Sequence, residues 1–243
     1  QAAIYIPEQG LFDYAIKTPV FRNDSLIADL KEFNSILSGK SDAETFTGQW
    51  KQNGFPAALK LTKVETLSFL KRPQHPQAPF PYEVENVTFT NADQSISFGG
   101  TLTFPKGKGT FPTMVLITGS GQEDRDETIF GHKPFWVIAD HLSRNGFAVL
   151  RIDDRGVGET TGTIGTSADY AQDILAALTY LKTRKEVNKK KMGLIGHSEG
   201  GMIAPLVASQ SKEIAFIVSL AGLGVGGKEL LLQQSDDILK KSG

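Results

Sequence analysis

Four short apolar runs, separated by stretches with helical spacing, restrict the fold of this chain more than any other feature. They are TMVLIT (113–118), FAVLRI (147–152), MGLIG (192–196) and IAFIVSLA (214–221). A strand that is buried on both faces appears as a continuous run of this kind, whereas a strand with one wet face alternates apolar and polar residues. The runs therefore predict the strands of a largely parallel sheet that is covered on both sides.

Helical patterns lie between these runs. Pro134 suits the first turn of a helix, where its missing N–H is not needed, and apolar residues follow it at helical spacing. In 166–184 the apolar positions share one helical face, and Thr166 with Asp169 fits an N-terminal capping pattern. Upstream, YEVENVTFT and SISFGGTLTFP predict a strand pair joined by a polar turn at 91–94. This alternation predicts the α/β fold class, with a doubly wound, mostly parallel sheet.

A proline cluster divides the chain. KRPQHPQAPFPYE has four prolines between Pro73 and Pro81, a composition that favours extended backbone and is typical of linkers. Within the preceding residues, Asn-Gly and Gly turn signals predict antiparallel strands, with a short helix near 26–33. We therefore predict a small β-rich segment at 1–70, a proline-rich linker at 71–82 and an α/β domain at 83–243.

Composition and charge narrow the function classes. The 243 residues carry 26 Lys and Arg against 27 Asp and Glu, a net charge of −1, so nothing favours nucleic acid as a partner. No apolar run approaches the ~20 residues that span a bilayer, so no membrane insertion is predicted. Without cysteine the chain has no disulfide, thiolate metal site or cysteine nucleophile. The chain begins with Gln1, from which we expect a processed or trimmed product, and the sequence gives no oligomeric state.

The pentapeptide GHSEG at 196–200 is the strongest candidate for a chemical site. It follows the predicted strand at 192–196 and precedes a helical pattern at 203–209, which is the strand–turn–helix context of a nucleophile elbow. Such a turn holds its serine in a strained conformation, and the flanking glycines remove the Cβ atoms that would clash there. The alternative is a glycine-rich turn with an incidental serine. We predict Ser198 as the catalytic nucleophile and Gly196, His197 and Gly200 as the elbow around it.

A nucleophile elbow works with an oxyanion hole, part of which comes from the loop after an earlier strand. Gly119, Ser120 and Gly121 follow the predicted strand at 113–118 and allow the backbone to turn its N–H groups toward the serine. We predict the N–H groups of Ser120 and Glu199 as the donors, with Gly121 beside them. The alternatives are a simple tight turn and a phosphate cradle, but the Gly-Lys-Ser/Thr that a cradle needs does not follow.

No histidine in the sequence is placed as a convincing general base. His197 adjoins Ser198, so its side chain is expected to diverge from the hydroxyl. His75 lies in the linker. His132 lies just before the helix predicted from Pro134, and His141 lies within that helix.

Two charged loops flank the predicted site. One contains Asp153, Asp154 and Arg155, and the other contains Asp124, Arg125 and Asp126. Opposite charges on adjacent loops predict ion pairs that hold the loops together, and a metal site is the alternative. GLGVGG at 222–227 matches a dinucleotide fingerprint, but it follows a late strand and has no acidic partner ~20 residues further on. We therefore predict no metal and no cofactor.

These motifs resemble the α/β-hydrolase superfamily, and more narrowly a group of bacterial serine hydrolases and esterases. The narrower match rests on LITGSGQEDRDE, GHKPFWVIADHL, VLRIDDRGVGETTG, TSADYAQD and GLIGHSEGGMIAP, in this order. The resemblance implies that 1–70 are the last strands of a barrel-like β domain whose first strands are absent here. It also implies a triad in the order Ser, Asp or Glu, His. Because two late strands of such a sheet are missing, the acid and the base are expected beyond Gly243, and an inserted cap is expected to begin near 228.

The sequence and the resemblance together predict a serine hydrolase that cleaves carboxylic esters through an acyl-enzyme on Ser198, with a small acyl substrate as its partner. A peptidase, thioesterase or acyltransferase of the same fold is the nearest alternative. In a different class, the chain taken alone is inactive and acts as a binding module. The resemblance and the non-Met start imply a periplasmic or secreted protein.

Overall fold

The computed structural model describes residues 2–6, 11–17, 19–65 and 71–242. The chain divides into two compact units, Gln1–Arg72 and Pro73–Gly243. Most of the buried apolar side chains belong to the second unit, which also contains the candidate site.

The first unit is antiparallel, in agreement with the predicted β-rich segment. Strands β1 (Ala2–Ile6) and β2 (Leu11–Ile16) pair with each other. A second sheet contains β3 (Val20–Arg22), β4 (Ser25–Leu30), β5 (Ser35–Ser41), β6 (Thr45–Gln52) and β7 (Phe55–Thr62). Asn53 and Gly54, both with positive φ, form the turn between β6 and β7, as the Asn-Gly signal predicts. The buried core of this unit consists of Ile16, Ala28, Leu30 and Leu37.

The helix predicted near 26–33 is wrong for most of its length. Ser25–Leu30 is a strand, and only Lys31–Phe33 turns, as a short 3₁₀ helix. The segment SLIADL buries Ala28 and Leu30 and exposes the residue between them, an alternation that suits a sheet with one covered face. Pairing with the neighbouring strands therefore decides the structure of this segment.

The second unit is built on one mixed sheet with the strand order β13-β12-β10-β11-β9-β8. Its strands are β8 (Tyr82–Thr90), β9 (Ser97–Pro105), β10 (Phe111–Ile117), β11 (Ala148–Ile152), β12 (Val187–His197) and β13 (Ile214–Leu220). β10 pairs in parallel with β11 and β12, and β12 pairs in parallel with β13. The antiparallel pair β8–β9 joins the sheet through β11. The four apolar runs and the upstream strand pair are strands, as predicted.

Helices cover both faces of this sheet. They are α1 (Pro134–Arg144), α2 (Ser167–Leu181) and α3 (Glu199–Gln210), followed by α4 (Gly227–Ser242). On β10, Met114 and Leu116 share a buried cluster with α1, whereas Val115 and Ile117 share another with α2 and α3. Because alternate residues of a strand point to opposite faces, α1 lies on one side and α2 and α3 lie on the other. The doubly wound α/β fold is therefore confirmed.

Two helix starts follow the sequence signals. Pro134 occupies the first turn of α1, as predicted. The Thr166 side chain and Asp169 form the predicted capping box of α2, in which each satisfies a backbone N–H of the other.

The parallel strands bring four loops to one end of the sheet. β10, β11, β12 and β13 all end there, so the loops that begin at 118, 153, 198 and 221 are neighbours. In the register of the sheet, Ile117 pairs with Gly196 and His197 pairs with Leu220. Open α/β sheets bind their ligands at this carboxyl end.

Candidate active site

Ser198 lies in the turn between β12 and α3 with a strained backbone. Its φ of 51° and ψ of −114° lie outside the regions that serine ordinarily adopts. Its N–H donates to the Leu220 carbonyl at 2.9 Å, and its carbonyl accepts from the Gly201 N–H at 3.0 Å. These bonds hold the strained turn and keep Ser198 half-buried at the end of the sheet.

The elbow glycines are required by space. A Cβ added at Gly196 would overlap the backbone carbonyl of Gly200, and a Cβ added at Gly200 would overlap the carbonyl of Ile117 on β10. Gly201 is packed in the same way against Gly222. Strand and helix therefore approach more closely than any side chain at these positions would allow.

The loop after β10 runs beside Ser198. A Cβ built on Gly119 would lie 3.5 Å from the Ser198 Cβ. Gly121 has a φ of 118°, which glycine adopts without strain and other residues avoid. The predicted oxyanion loop and the predicted nucleophile are thus brought together, although 79 positions of sequence separate Gly119 from Ser198.

The N–H groups of this loop differ in their availability. The Gly119 N–H donates to Glu127 Oε1 at 2.8 Å and is therefore occupied. Within the part of the chain that the structure describes, the N–H groups of Ser120 and Glu199 have no acceptor. Glu199 is the first residue of α3, where backbone N–H groups have no partner inside the helix. Neither of the two predicted donors is thus occupied by a hydrogen bond within the described residues.

Glu127 connects the oxyanion loop to the elbow. Its Oε1 lies 2.7 Å from His197 Nδ1, and its side chain is only 4% exposed. Glu127 also has a φ of 51°, uncommon for glutamate. Glu127 is the last residue of LITGSGQEDRDE, but no local pattern assigned it a role, because 70 positions separate it from His197 and it lies within a run of charges.

No histidine among the described residues forms a hydrogen bond with the Ser198 hydroxyl. The rings of His75 and His132 stack with their centroids 5.3 Å apart, and His75 Nε2 accepts from the Lys133 N–H at 3.0 Å. His141 lies on α1. A general base for Ser198 is therefore not found within these residues.

The charged loops pair across the site, as predicted. Arg125 binds Asp153 through two contacts, 3.0 Å from Nε to Oδ1 and 2.5 Å from the second guanidinium nitrogen to Oδ2. Asp153 is almost fully buried, and it also accepts the Glu159 N–H at 3.1 Å. A two-pronged Arg–carboxylate pair is among the stronger hydrogen-bonded contacts in proteins, so it fixes the two loops relative to each other.

The ion pairs extend further than the two loops. Asp126 pairs with Arg151 of β11, and Arg155 pairs with Asp173 of α2 at 2.7 Å. Burial lowers the pKa of Arg151 to about 10. No local pattern indicated that Arg151, inside an apolar run, and Asp173, on a helix, would be the partners. Among the residues that the structure describes, no three acidic or histidine side chains are arranged to hold a metal.

Asp154 is a half-buried carboxylate that accepts hydrogen bonds from neutral donors. Its oxygens accept the Thr118 hydroxyl at 2.8 Å and the Glu123 N–H at 3.0 Å. Burial raises the pKa of Asp154 to about 6, and the carboxylates of Glu123 and Asp173 add to the effect. Asp154 thereby ties the loop after β11 to the loop after β10.

Known proteins resemble this chain in the region that carries the site. Residues 135–235 match a family described as serine aminopeptidase, S33. Esterase EstD from Thermotoga maritima is 32% identical over 200 residues, which cover 78% of this chain and 48% of that protein. The chain is thus similar to members of the α/β-hydrolase superfamily. The resemblance to the superfamily and to its esterase group is thus confirmed.

Two solved structures have a fold similar to that of this chain. Hypothetical protein PA2218 from Pseudomonas aeruginosa is 19% identical, with a TM-score of 0.53 over 73% of this chain and 60% of that one. The α/β hydrolase GrgF from Penicillium sp. sh18 is 24% identical, with a TM-score of 0.51 over 66% of this chain and 56% of that one. The chain spans about half the length of EstD.

The helices of this chain and its second glycine-rich motif have separate properties. Of the helices that the structure describes, none combines the length and the apolar character that crossing a membrane requires. GLGVGG at 222–227 joins β13 to α4, and Gly222 within it packs against Gly201 and Ser219. This packing gives the first glycine of the motif a structural role beside the elbow.

Proposed function

We propose that this protein is a serine hydrolase that cleaves carboxylic esters, with Ser198 as its nucleophile. The observation that carries the proposal is a serine held at a φ of 51° between β12 and α3, beside a loop with a free N–H. Strain of this kind persists at active sites because the surrounding structure holds it. The 32% identity to esterase EstD supports an ester as the substrate.

In the proposed reaction the Ser198 oxygen attacks the acyl carbonyl and transfers its proton to a histidine base. The carbonyl oxygen becomes an oxyanion that accepts hydrogen bonds from the Ser120 and Glu199 N–H groups, and the N-terminal end of α3 adds a favourable dipole. Collapse of the tetrahedral intermediate expels the alcohol, which takes the proton from the histidine, and leaves an acyl-enzyme. Water, deprotonated by the same histidine, then releases the acid and restores Ser198.

We place the base and its carboxylate partner beyond Gly243 of the full gene product. Two observations support this placement. No described histidine bonds to the Ser198 hydroxyl, since His197 is engaged by Glu127, and the chain covers only 48% of EstD. We also propose that a cap over the site begins near 228, because α4 exposes Leu231, Leu232, Ile238 and Leu239.

A fluorophosphonate probe and p-nitrophenyl esters test the proposal on the full gene product. We expect the probe to label Ser198 and the esters to be hydrolysed, with both reduced by at least about 10⁴-fold in Ser198→Ala. The matched change Ser209→Ala, at an exposed serine of the same helix, is expected to retain both. A gene product that neither labels nor hydrolyses esters would favour the binding module.

A peptidase is the second candidate, because the family that matches 135–235 is described as a serine aminopeptidase. The elbow and the two N–H donors suit amides as well as esters, since both react through a tetrahedral oxyanion. Aminoacyl p-nitroanilides separate the two activities. Turnover of the anilides as fast as that of p-nitrophenyl acetate would favour the peptidase, and turnover of esters alone would favour the esterase.

A further inference from the structure

The Glu127 carboxylate is a buried group that the proposed reaction does not use. Its Oε1 accepts the Gly119 N–H at 2.8 Å and lies 2.7 Å from His197 Nδ1. A carboxylate oxygen accepts hydrogen bonds, so Nδ1 is the donor in the tautomer that forms the second contact. A single oxygen thus joins the loop after β10 to the residue that precedes Ser198.

We propose that Glu127 is a positioning residue that sets the oxyanion hole by tying Gly119 to His197. This role rests on the proposed function, since it concerns the same site. Glu127 contacts no reacting atom in it. The residue acts through the two backbone segments that its carboxylate joins.

The bond to Gly119 fixes which N–H of the loop is available. With its N–H directed to Glu127, Gly119 is unable to donate to an oxyanion, and the N–H of Ser120 is the next one along the chain. Gly119 lies beside the nucleophile, since a Cβ built on it would be 3.5 Å from the Ser198 Cβ. A displacement of this peptide by about 1 Å is enough to cost about 10²-fold in rate, because the donor would no longer meet the oxyanion.

The bond to His197 fixes the same loop to the elbow. His197 is the last residue of β12, and its backbone leads directly into the strained Ser198 turn. The position of the loop is therefore defined relative to the nucleophile itself. A Cβ built on Gly119 would lie 3.4 Å from His197 Nδ1 and 3.2 Å from Glu127 Oε1, so all three groups converge on one point.

Glu127 is itself held rigidly. Its backbone has a φ of 51°, and its N–H donates to the Asp124 carbonyl at 2.8 Å. The preceding residue, Asp126, pairs with the buried Arg151 and with Lys133. A side chain fixed in this way positions its partners more accurately than an adaptable one does.

Hydrogen exchange of the loop amides tests the tie without reference to activity. In the full gene product we expect Glu127→Ala to speed exchange of the Gly119 amide by about 10-fold, because its bond to a buried carboxylate is lost. Glu159→Gln is the matched control, since Glu159 is an exposed acid that pairs with the same site network. Its Gly119 exchange is expected to match that of the unchanged protein. An equal exchange rate in Glu127→Ala would overturn the proposal.

Ester kinetics test the consequence for the oxyanion hole. We expect kcat to fall about 100-fold in Glu127→Ala and about 10-fold in Glu127→Gln, which keeps an acceptor for Gly119, with KM within about twofold. The inhibition constant of a boronic acid, whose tetrahedral adduct places an oxygen in the hole, is expected to rise in parallel with the loss of kcat. Unchanged kcat, or a loss matched by the fraction of unfolded protein, would contradict the positioning role.

The two proposals fail in different ways. If the unchanged gene product shows no esterase or peptidase activity, the proposed function fails, and hydrogen exchange still decides whether Glu127 holds the loop.

If Glu127→Ala does not fold, Glu127→Gln and His197→Ala carry the test. His197→Gln, which keeps a donor for Oε1, is expected to lose less kcat than His197→Ala. Equal losses in these two variants would exclude an action through His197.

Discussion

Gly196 in β12 faces the backbone carbonyl of Gly200 in α3 with no room for a Cβ between them. Gly200 in turn lies against the Ile117 carbonyl of β10. The crossing of strand and helix, and hence the position of Ser198 at the end of the sheet, is therefore set by contacts between backbones. The elbow depends on the absence of side chains at these two positions.

Substitution of Gly196 by alanine is therefore expected to destabilise the protein by about 3 kcal/mol, because the added methyl group overlaps backbone that has little freedom to move. The matched control is Gly224→Ala, where an added Cβ would meet no atom within 4 Å. There we expect a change of less than about 1 kcal/mol, in the stabilising direction. Urea unfolding measures both. Equal stabilities of the two variants would contradict the steric account.

The strained backbone of Ser198 predicts that glycine is better tolerated than alanine at this position. Glycine adopts the observed φ of 51° more easily than alanine, so Ser198→Gly is expected to be more stable than Ser198→Ala by about 1 kcal/mol. At the exposed Ser209 of α3, where glycine weakens the helix, the order is expected to reverse by about 0.5 kcal/mol. Thermal unfolding of the four variants checks both orders. The same order at both positions would show that the turn holds no strain.

The half-buried Asp154 gives a dependence of the free energy of unfolding on pH. Its pKa is raised from 3.8 to about 6, so the folded state binds more protons than the unfolded chain between these values. The contribution of Asp154 to the free energy of unfolding therefore falls as the pH rises through this window. Between pH 4 and pH 7 we expect the free energy of unfolding of Asp154→Asn to rise by about 2 kcal/mol relative to that of the unchanged protein. Urea unfolding at both pH values measures this difference.

Asp93 provides the control for this measurement. Hydrogen bonds from Ser95 lower the pKa of its exposed carboxyl, so its contribution is present at neutral pH and is lost as the pH falls. The free energy of unfolding of Asp93→Asn is therefore expected to fall relative to that of the unchanged protein as the pH rises. This change is opposite in direction to that of Asp154→Asn. A stability difference for Asp154→Asn that does not vary with pH would exclude a raised pKa.

Continuous apolar runs predicted β10, β11 and β12 correctly because strands buried on both faces carry no other pattern. The run at 214–221 also forms a strand, but most residues of β13 are exposed, so its predicted burial on both faces is wrong. The pair Thr166 and Asp169 predicted the start of α2 correctly, because a capping box is a contact between residues that are close in sequence. The segment 26–33 was predicted wrongly because six residues with mixed spacing fit a helix or a strand equally well. Its partners in β3 and β5 decide the outcome, and a local pattern does not contain them.

The contacts around the site were beyond the reach of local patterns for the same reason. Glu127 meets His197 across 70 positions, and Arg155 meets Asp173 across 18. The sequence indicated that the two adjacent loops carry charges of both signs, and it predicted ion pairs between them without identifying the partners. Which carboxylate would take a cation and which would bind backbone N–H groups depends on the twist of the sheet and the paths of the loops.

The hydrogen bond from the Ser198 N–H to the Leu220 carbonyl links the turn that holds Ser198 to the end of β13. Leu220 ends β13, and Ala221, with a φ of 50°, begins the turn that leads to α4. The main chain therefore connects α4 to the residue that accepts the Ser198 N–H, with no intervening side chain. With Ser198 acting as proposed, mutations in that turn are expected to change ester turnover without contacting the substrate.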